Sequence, residues 1–171
     1  MKRLFSLLLT CALLLGLCSC SFLQDEPKGY EGAPATFTFQ GLTFTATDSF
    51  LPDEEYEEEN SVWYTASDMD ISVDFYPFAE APELENMSTL GYAQFLRSQW
   101  DADSPTEITE EDGLIYFSYE ASFLLERYTY FLSFYRADDG FYIIWYMCDT
   151  EDFASYKPHF LEWAKAVTVA E

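Results

Sequence analysis

Residues with chemistry of their own are few in this chain and widely spaced. His159 is the only histidine. A general base needs a nucleophile in reach and a partner that orients it. Glu162 follows three residues later, close on a helix face, but that is an ordinary surface pair. No serine–histidine–aspartate logic can be assembled around His159. A Cys148–His159 dyad is formally possible. It needs an exposed thiol, and Cys148 ends an apolar run where a buried, inert thiol is the expectation. The 31 acidic residues guarantee chance carboxylate pairs, but a glycoside hydrolase needs its pair inside a sugar cleft, and this chain has little material for one. The run Asp53-Glu54-Glu55-Tyr56-Glu57-Glu58-Glu59 reads most simply as a solvated loop of mutually repelling charges. The sharper reading makes Glu57, Glu58 and Glu59 ligands of a hard cation, without the Asp-x-Asp-x-Asp-Gly loop that would support it. No P-loop, dinucleotide fingerprint or zinc spacing is present. The expectation is a non-enzymatic protein with no cofactor and no metal.

Aromatic side chains are the remaining resource. From Leu114 to Cys148, 13 of 35 residues are Phe, Tyr or Trp, about twice the chain-wide 19%. Density of this kind, cut by turn signals, predicts three consecutive antiparallel strands. Tyr116, Tyr128, Tyr130, Tyr142 and Tyr146 are the candidate ligand-binding face, since tyrosine suits recognition of sugars, peptides or partners. The competing and preferred reading is that most of them fill two layers of core.

The N-terminus carries the most specific signal. Lys2 and Arg3 precede a largely apolar run, Leu4 to Leu17, too short to span a bilayer comfortably and right for a signal peptide. It ends in Leu17-Cys18-Ser19-Cys20, which resembles a bacterial lipobox. That resemblance implies cleavage after Ser19, a palmitate-type lipid on Cys20, and a place on the extracytoplasmic side of a bacterial membrane. Residues 1–19 are then the signal, 20–34 the lipidated cysteine and a Gly/Pro-rich tether, and 35–171 a single domain. Loss of Lys2 and Arg3 takes the formal charge from −23 to −25. Such acidity argues against nucleic acid and against lying flat on an anionic membrane. Cys148 is the one thiol left over, so no disulfide framework exists. The expected partners are the membrane, through Cys20, and a protein at the cell envelope; the chain itself is expected to be a monomer.

Periodicity supplies the elements. Ala35–Gln40 and Leu42–Thr47 alternate as two short strands joined at Gly41, and Ser61–Ser67 is a third. Met69, Ile71, Val73 and Phe75 alternate with Asp70, Ser72 and Asp74, which predicts one face in the core and one in water. Ser88 or Thr89 caps a helix to about Trp100, with Tyr92, Ala93, Phe95, Leu96 and Trp100 as its apolar stripe. Thr106–Glu110 is a short edge strand. Asp138-Asp139-Gly140 reads as a hairpin turn with a positive-φ glycine. Phe141–Cys148 is apolar on both faces, so it needs cover on both sides. A C-terminal helix capped by Thr150 supplies part of that cover, with a kink or restart at Pro158.

This order of elements resembles the PsbP-like α/β/α sandwich. The resemblance spans roughly Ala35 to Val169 and is carried by FTFQGLTFTATDSFLPD and GFYIIWYMCDTEDFASYKPHFLEWAKAVTV. It implies an α+β fold with a single, mostly antiparallel sheet and helices on both faces. Photosystem II extrinsic subunits and a Ran-binding import factor share that superfamily, and their functions do not transfer with the fold. The resemblance carries no catalytic residues. A binding or accessory module is the primary expectation, a small-ligand or cation-binding surface protein the alternative, and a carboxylate-dependent hydrolase the third.

Overall fold

A computed structural model of the chain describes residues 28–99 and 105–170. Cys20, the signal segment, most of the tether and Trp100 lie outside the described residues. Gln40 and Gly41 take positive φ (46° and 92°), the two-residue turn whose twist matches its flanking strands. β1 (Pro34–Phe39) therefore folds back on β2 (Leu42–Thr47). β3 (Leu51–Pro52), β4 (Ser61–Thr65) and β5 (Met69–Pro77) follow, then α1 (Thr89–Gln99). Ser88 caps α1 by accepting the Gly91 N–H through Oγ at 3.0 Å. β6 (Thr109–Glu111), β7 (Leu114–Phe123), β8 (Glu126–Arg136) and β9 (Gly140–Asp149) form a meander. α2 (Phe153–Lys165) and β10 (Thr168–Val169) close the chain.

Two sheets are present, not the single sheet expected. The larger has the order β3-β4-β5-β9-β8-β7-β6 and the smaller β1-β2-β10, all antiparallel. The β1–β2 hairpin does not extend the large sheet because its apolar face has a better use. Leu42, Phe44 and Ala46 are fully buried in one core with Val62, Tyr64, Ile71, Phe160 and Trp163. The small sheet thus lies over the large one beside α2. β10 completes it through the Ala170 N–H, which donates to the Gly41 carbonyl at 2.9 Å. The large sheet ends in strands of two and three residues, which leaves little edge for further pairing.

The double-sided β9 is covered as its composition demands. On one face Tyr142, Ile144, Tyr146 and Cys148 pack under α2 and the small sheet. On the other, Phe141 and Ile143 join Ile115, Phe117, Leu132, Phe134 and the α1 residues Tyr92 and Ala93. Phe95, expected in the α1 stripe, stands exposed, because the helix touches the sheet along a narrower line. α2 runs through Pro158 without restarting, and Asp152, not Thr150, precedes it. Ala154, four residues before Pro158, is exposed, so water can satisfy the carbonyl the proline leaves without an amide partner. Thr150 instead bonds Thr129 across the sheet at 3.1 Å.

Residues 28–33, read from the sequence as tether, are docked. Gly29 is buried and donates its N–H to Asp68 at 2.9 Å. Tyr30 packs edge-on to Tyr156 with ring centres 5.0 Å apart. Lys28 reaches Asp68 and Asp152 at 3.4 and 3.3 Å.

Gly140 does not need positive φ, contrary to the turn reading. A Cβ there would lie 2.4 Å from Phe75 Cε2 and 2.7 Å from the Tyr76 carbonyl oxygen. Glycine is required because β5 and the Phe75 ring approach so closely. Gly140→Ala is expected to lower stability by about 1–3 kcal/mol through overpacking, read as a lower midpoint in urea unfolding with the slope unchanged.

Candidate functional site

Antiparallel register builds the α1-side face of the large sheet. Reading across β4, β5, β9, β8 and β7, three rows of directly opposed residues stand on this side. The first is Ser61–Asp74–Ile143–Phe134–Ile115. The second is Trp63–Ser72–Trp145–Leu132–Phe117. The third is Thr65–Asp70–Met147–Tyr130–Tyr119. α1 covers the β7–β8 end of these rows, where the side chains are apolar and buried. Among the described residues no helix lies over the β4–β5 end, and the side chains change to Trp, Asp and Ser.

The result is a slot. Ser72 is its buried floor, with Trp63 on one side and Trp145 on the other in the same row. Asp70 and Asp74 stand two residues before and after Ser72 on β5, at the two ends. Met147 and Tyr130 line it beside Asp70. The Tyr130 ring meets Trp145 edge-on at 6.4 Å and stacks on Tyr119 at 4.9 Å. The cavity holds about 180 Å³, room for roughly six waters at ~30 Å³ each. Trp63 and Asp74 also border a shallower trough of about 540 Å³, lined further by Tyr56, Tyr76, Glu55, Glu58 and Glu80. Tyr56 leans on Trp63 with ring centres 5.7 Å apart.

Neither cavity has a Lys, Arg or His among its described lining residues. The carboxylates therefore face the slot without a cation. Burial pushes the Asp74 carboxyl above its ordinary value, against the pull of the neighbouring Ser61 and Ser72 hydroxyls. The Ser61 bond is 2.6 Å long. Burial also raises Asp70, with Thr65 hydrogen bonding in opposition and Asp53 adding to the rise. Tyr76 is pushed up to about 12, by burial first and then by Asp74. Asp70 and Asp74 are four residues apart on an extended strand, so their Cα atoms are roughly 13 Å apart.

The five candidate tyrosines do not share a face. Tyr142 and Tyr146 are 2% and 0% exposed and Tyr116 is 9% exposed, all in the core on the α2 side. Tyr130 lies opposite Met147 in register and so stands on the other face, where it lines the slot. Tyr128 is half-buried nearer the end of β8 and bonds Glu126. Strand alternation separates residues that aromatic density had grouped. Glu57, Glu58 and Glu59 are exposed. Among the described residues no group of three or more His, Cys, Asp or Glu is placed to hold a metal ion. His159 stacks on Tyr30 with ring centres 4.4 Å apart. The Cys148 thiol is buried and pushed up to about 12 by that burial and by Asp152, Asp149 and Asp68, which leaves no thiolate for a dyad.

Trp63, Asp70, Ser72, Asp74, Trp145 and Met147 were not singled out by sequence reasoning. The available signal was the alternation of β5, which put Asp70, Ser72 and Asp74 on a face without apolar cover.

No protein-family model matches the chain, and a search of curated proteins found no match. Solved structures do share its fold. Cyanobacterial PsbP (CyanoP) from Synechocystis sp. PCC 6803 aligns with a TM-score of 0.53 at 14% identity, over 86% of this chain and 98% of that one. The Saccharomyces cerevisiae Ran-binding protein Mog1p aligns with a TM-score of 0.52 at 12% identity, over 81% and 96%. A Bacteroides thetaiotaomicron protein aligns at 0.53 and 11%, over 80% of this chain and 48% of that one. The chain has the PsbP-like fold.

The raised carboxyls make stability depend on pH with a definite sign. A group whose folded value is raised binds its proton more readily in the folded chain, so stability falls as pH rises. The loss starts near the ordinary value of 3.8 and is complete above the raised values. Asp70→Asn/Asp74→Asn is expected to melt above the unaltered protein at pH 8, with the gap closing as pH falls toward 3.8. Glu57→Gln/Glu59→Gln, which removes two exposed charges, is expected to gain less in the same thermal scans.

Proposed function

We propose that the chain is a non-enzymatic, lipid-anchored binding module on the extracytoplasmic side of a bacterial membrane, and that the Trp63–Ser72–Trp145 slot is its ligand site. The observation that carries this reading is the slot itself. Two indoles and two partly buried carboxylates line a cavity on a part of the sheet face that no described helix covers. A domain selected for stability alone would cover that face with apolar side chains, since unpaired buried carboxylates oppose folding. Aromatic walls with a few placed polar groups are the usual composition of a small-molecule site.

Binding in place of catalysis is supported by what the reactive side chains do. The Cys148 thiol is buried, and His159 is stacked on Tyr30. The fold also serves a binding role elsewhere, since Mog1p is a Ran-binding protein. The anchor rests on Leu17-Cys18-Ser19-Cys20, and the acidic domain suits a protein held near a membrane by lipid while its charge keeps it off the surface.

Two measurements test this. Cys20→Ala is expected to move the protein from the membrane fraction to the soluble one; retention in the membrane overturns the anchor. A thermal-shift panel of amines, amino acids, sugars and nucleosides is expected to yield a saturable rise in melting temperature. Trp63→Leu should abolish that rise while leaving the unliganded melting point nearly unchanged. A rise that survives Trp63→Leu places the site elsewhere.

A further inference from the structure

The chemistry of the slot selects a class of ligand, and this inference rests on the slot being the site. Its floor presents carboxylate, hydroxyl and carboxylate in line along β5: Asp70, Ser72, Asp74. Its walls are the indoles of Trp63 and Trp145, with the Tyr130 ring beside them. Indole and phenol faces attract ammonium groups and also cover methylene groups. A carboxylate accepts about four hydrogen bonds. Asp74 receives the Ser61 hydroxyl at 2.6 Å and lies beside the Ser72 hydroxyl, neutral donors that orient it without neutralising it.

Of the six basic residues described, five are engaged away from the slot, and the sixth, Lys157, is exposed on α2, which packs on the opposite face of the large sheet. Lys28 pairs with Asp68 and Asp152, Arg97 with Glu107, Arg127 with Glu120, and Lys165 with Glu111 and Asp112. Arg136 donates to the Met87 and Glu85 carbonyls at 2.8 Å and stacks on Phe78 and Phe141. No described basic residue lines the slot, so a positive charge that complements Asp70 and Asp74 is left for a ligand to bring. The acidic trough beyond Trp63, with Glu55, Glu58 and Glu80, extends the same field and draws cations toward the slot.

The two carboxylates are separated, not clustered. With roughly 13 Å between their Cα atoms, one compact cation cannot touch both. A flexible chain with a positive charge at each end can. We propose that the slot takes an aliphatic diamine or polyamine, with its terminal ammonium groups on Asp70 and Asp74 and its methylene chain over Ser72 between Trp63 and Trp145. A metal dication fits less well, because the aromatic walls offer it no oxygen ligands. A neutral sugar would leave both carboxylates without a counter-charge.

The test is titration of the protein with putrescine, cadaverine and spermidine, read by tryptophan fluorescence and calorimetry at physiological ionic strength. Choline, glucose and Mg²⁺ serve as comparison ligands. The expected result is saturable binding of at least one of the three amines, with a fluorescence change from Trp63 and Trp145. Asp74→Asn and Asp70→Asn should each weaken it by roughly tenfold or more, the loss expected for a charged hydrogen bond. Glu57→Gln/Glu59→Gln should leave it within about twofold, since screened surface charge contributes little. Amine binding that falls equally in the surface variant, or is matched by Mg²⁺, overturns the proposal as unspecific attraction. Choline binding as tight as that of the amines overturns the two-ended geometry. Binding of glucose but of no amine, lost in Trp63→Leu, overturns the cation and leaves the slot as the site. Absence of amine binding in a variant-free, folded protein overturns the proposal outright.

Discussion

An eleven-residue helix such as α1 is roughly 16 Å long and 10–12 Å across, while seven strands at a spacing of about 4.8 Å make a face ~29 Å wide. The helix cannot roof that face. On the other side of the large sheet, α2 shares the work with the three-stranded sheet, and cover reaches from Val62 and Tyr64 on β4 to Tyr116 on β7. The two faces of one sheet therefore meet different fates. Where α1 lies, the rows across the strands are apolar: Ile115, Phe117, Leu132, Phe134, Ile143. Past its margin the same rows turn to Trp145, Ser72, Trp63 and the two aspartates. Tyr76 marks the boundary, half in contact with Tyr92 and 36% exposed.

Electrostatics sharpens the difference. Most of the chain's carboxylates are exposed, where water screens them and they cost little. Asp70 and Asp74 are partly buried beside indoles, and burial is the largest cause of their raised pKa values. Serine and threonine hydroxyls hold them in place and offset only part of that cost. The same arrangement that weakens the free domain is complementary to a cation, because a ligand bringing positive charge removes the penalty on binding. In the proposed reading, ligand binding and stability draw on the same two side chains with opposite signs.

Much of the scaffold was legible in the sequence because its signals are local. Asp70, Ser72 and Asp74 announced their face through alternation with Met69, Ile71 and Val73. Phe141–Cys148 announced its double cover by being apolar on both sides. Gly41 announced a tight turn, in which Gln40, read as the end of the strand, also takes part. What escaped depends on partners distant in sequence. Nothing near Thr168 or Val169 says that they pair with Leu42 and Thr43, so the second sheet was hidden. Gly140 looked like a turn residue, and only the Phe75 ring, 65 residues earlier, explains it. The tyrosines were grouped by density although Tyr130 and Tyr146 stand on opposite faces. Trp63 and Trp145 lie 82 residues apart and become neighbours of Ser72 only through two strand pairings.

The slot follows from side chains and one helix length, not from the fold. Structures of the same architecture share only 11–14% identity with this chain, so the sandwich tolerates wide change in sequence. A sandwich is held by its buried rows, and those tolerate exchange among apolar residues of similar volume. The other end of the α1-side face is under less of this constraint, because no described helix packs on it. Lengthening α1 by a few turns, or placing Leu at 63, 72 and 145, would turn this end into ordinary core. Trp, Ser and Asp at those row positions forgo that burial. A fold that covers one face fully and the other partly is thus able to keep its stability on one side while its recognition chemistry varies on the other.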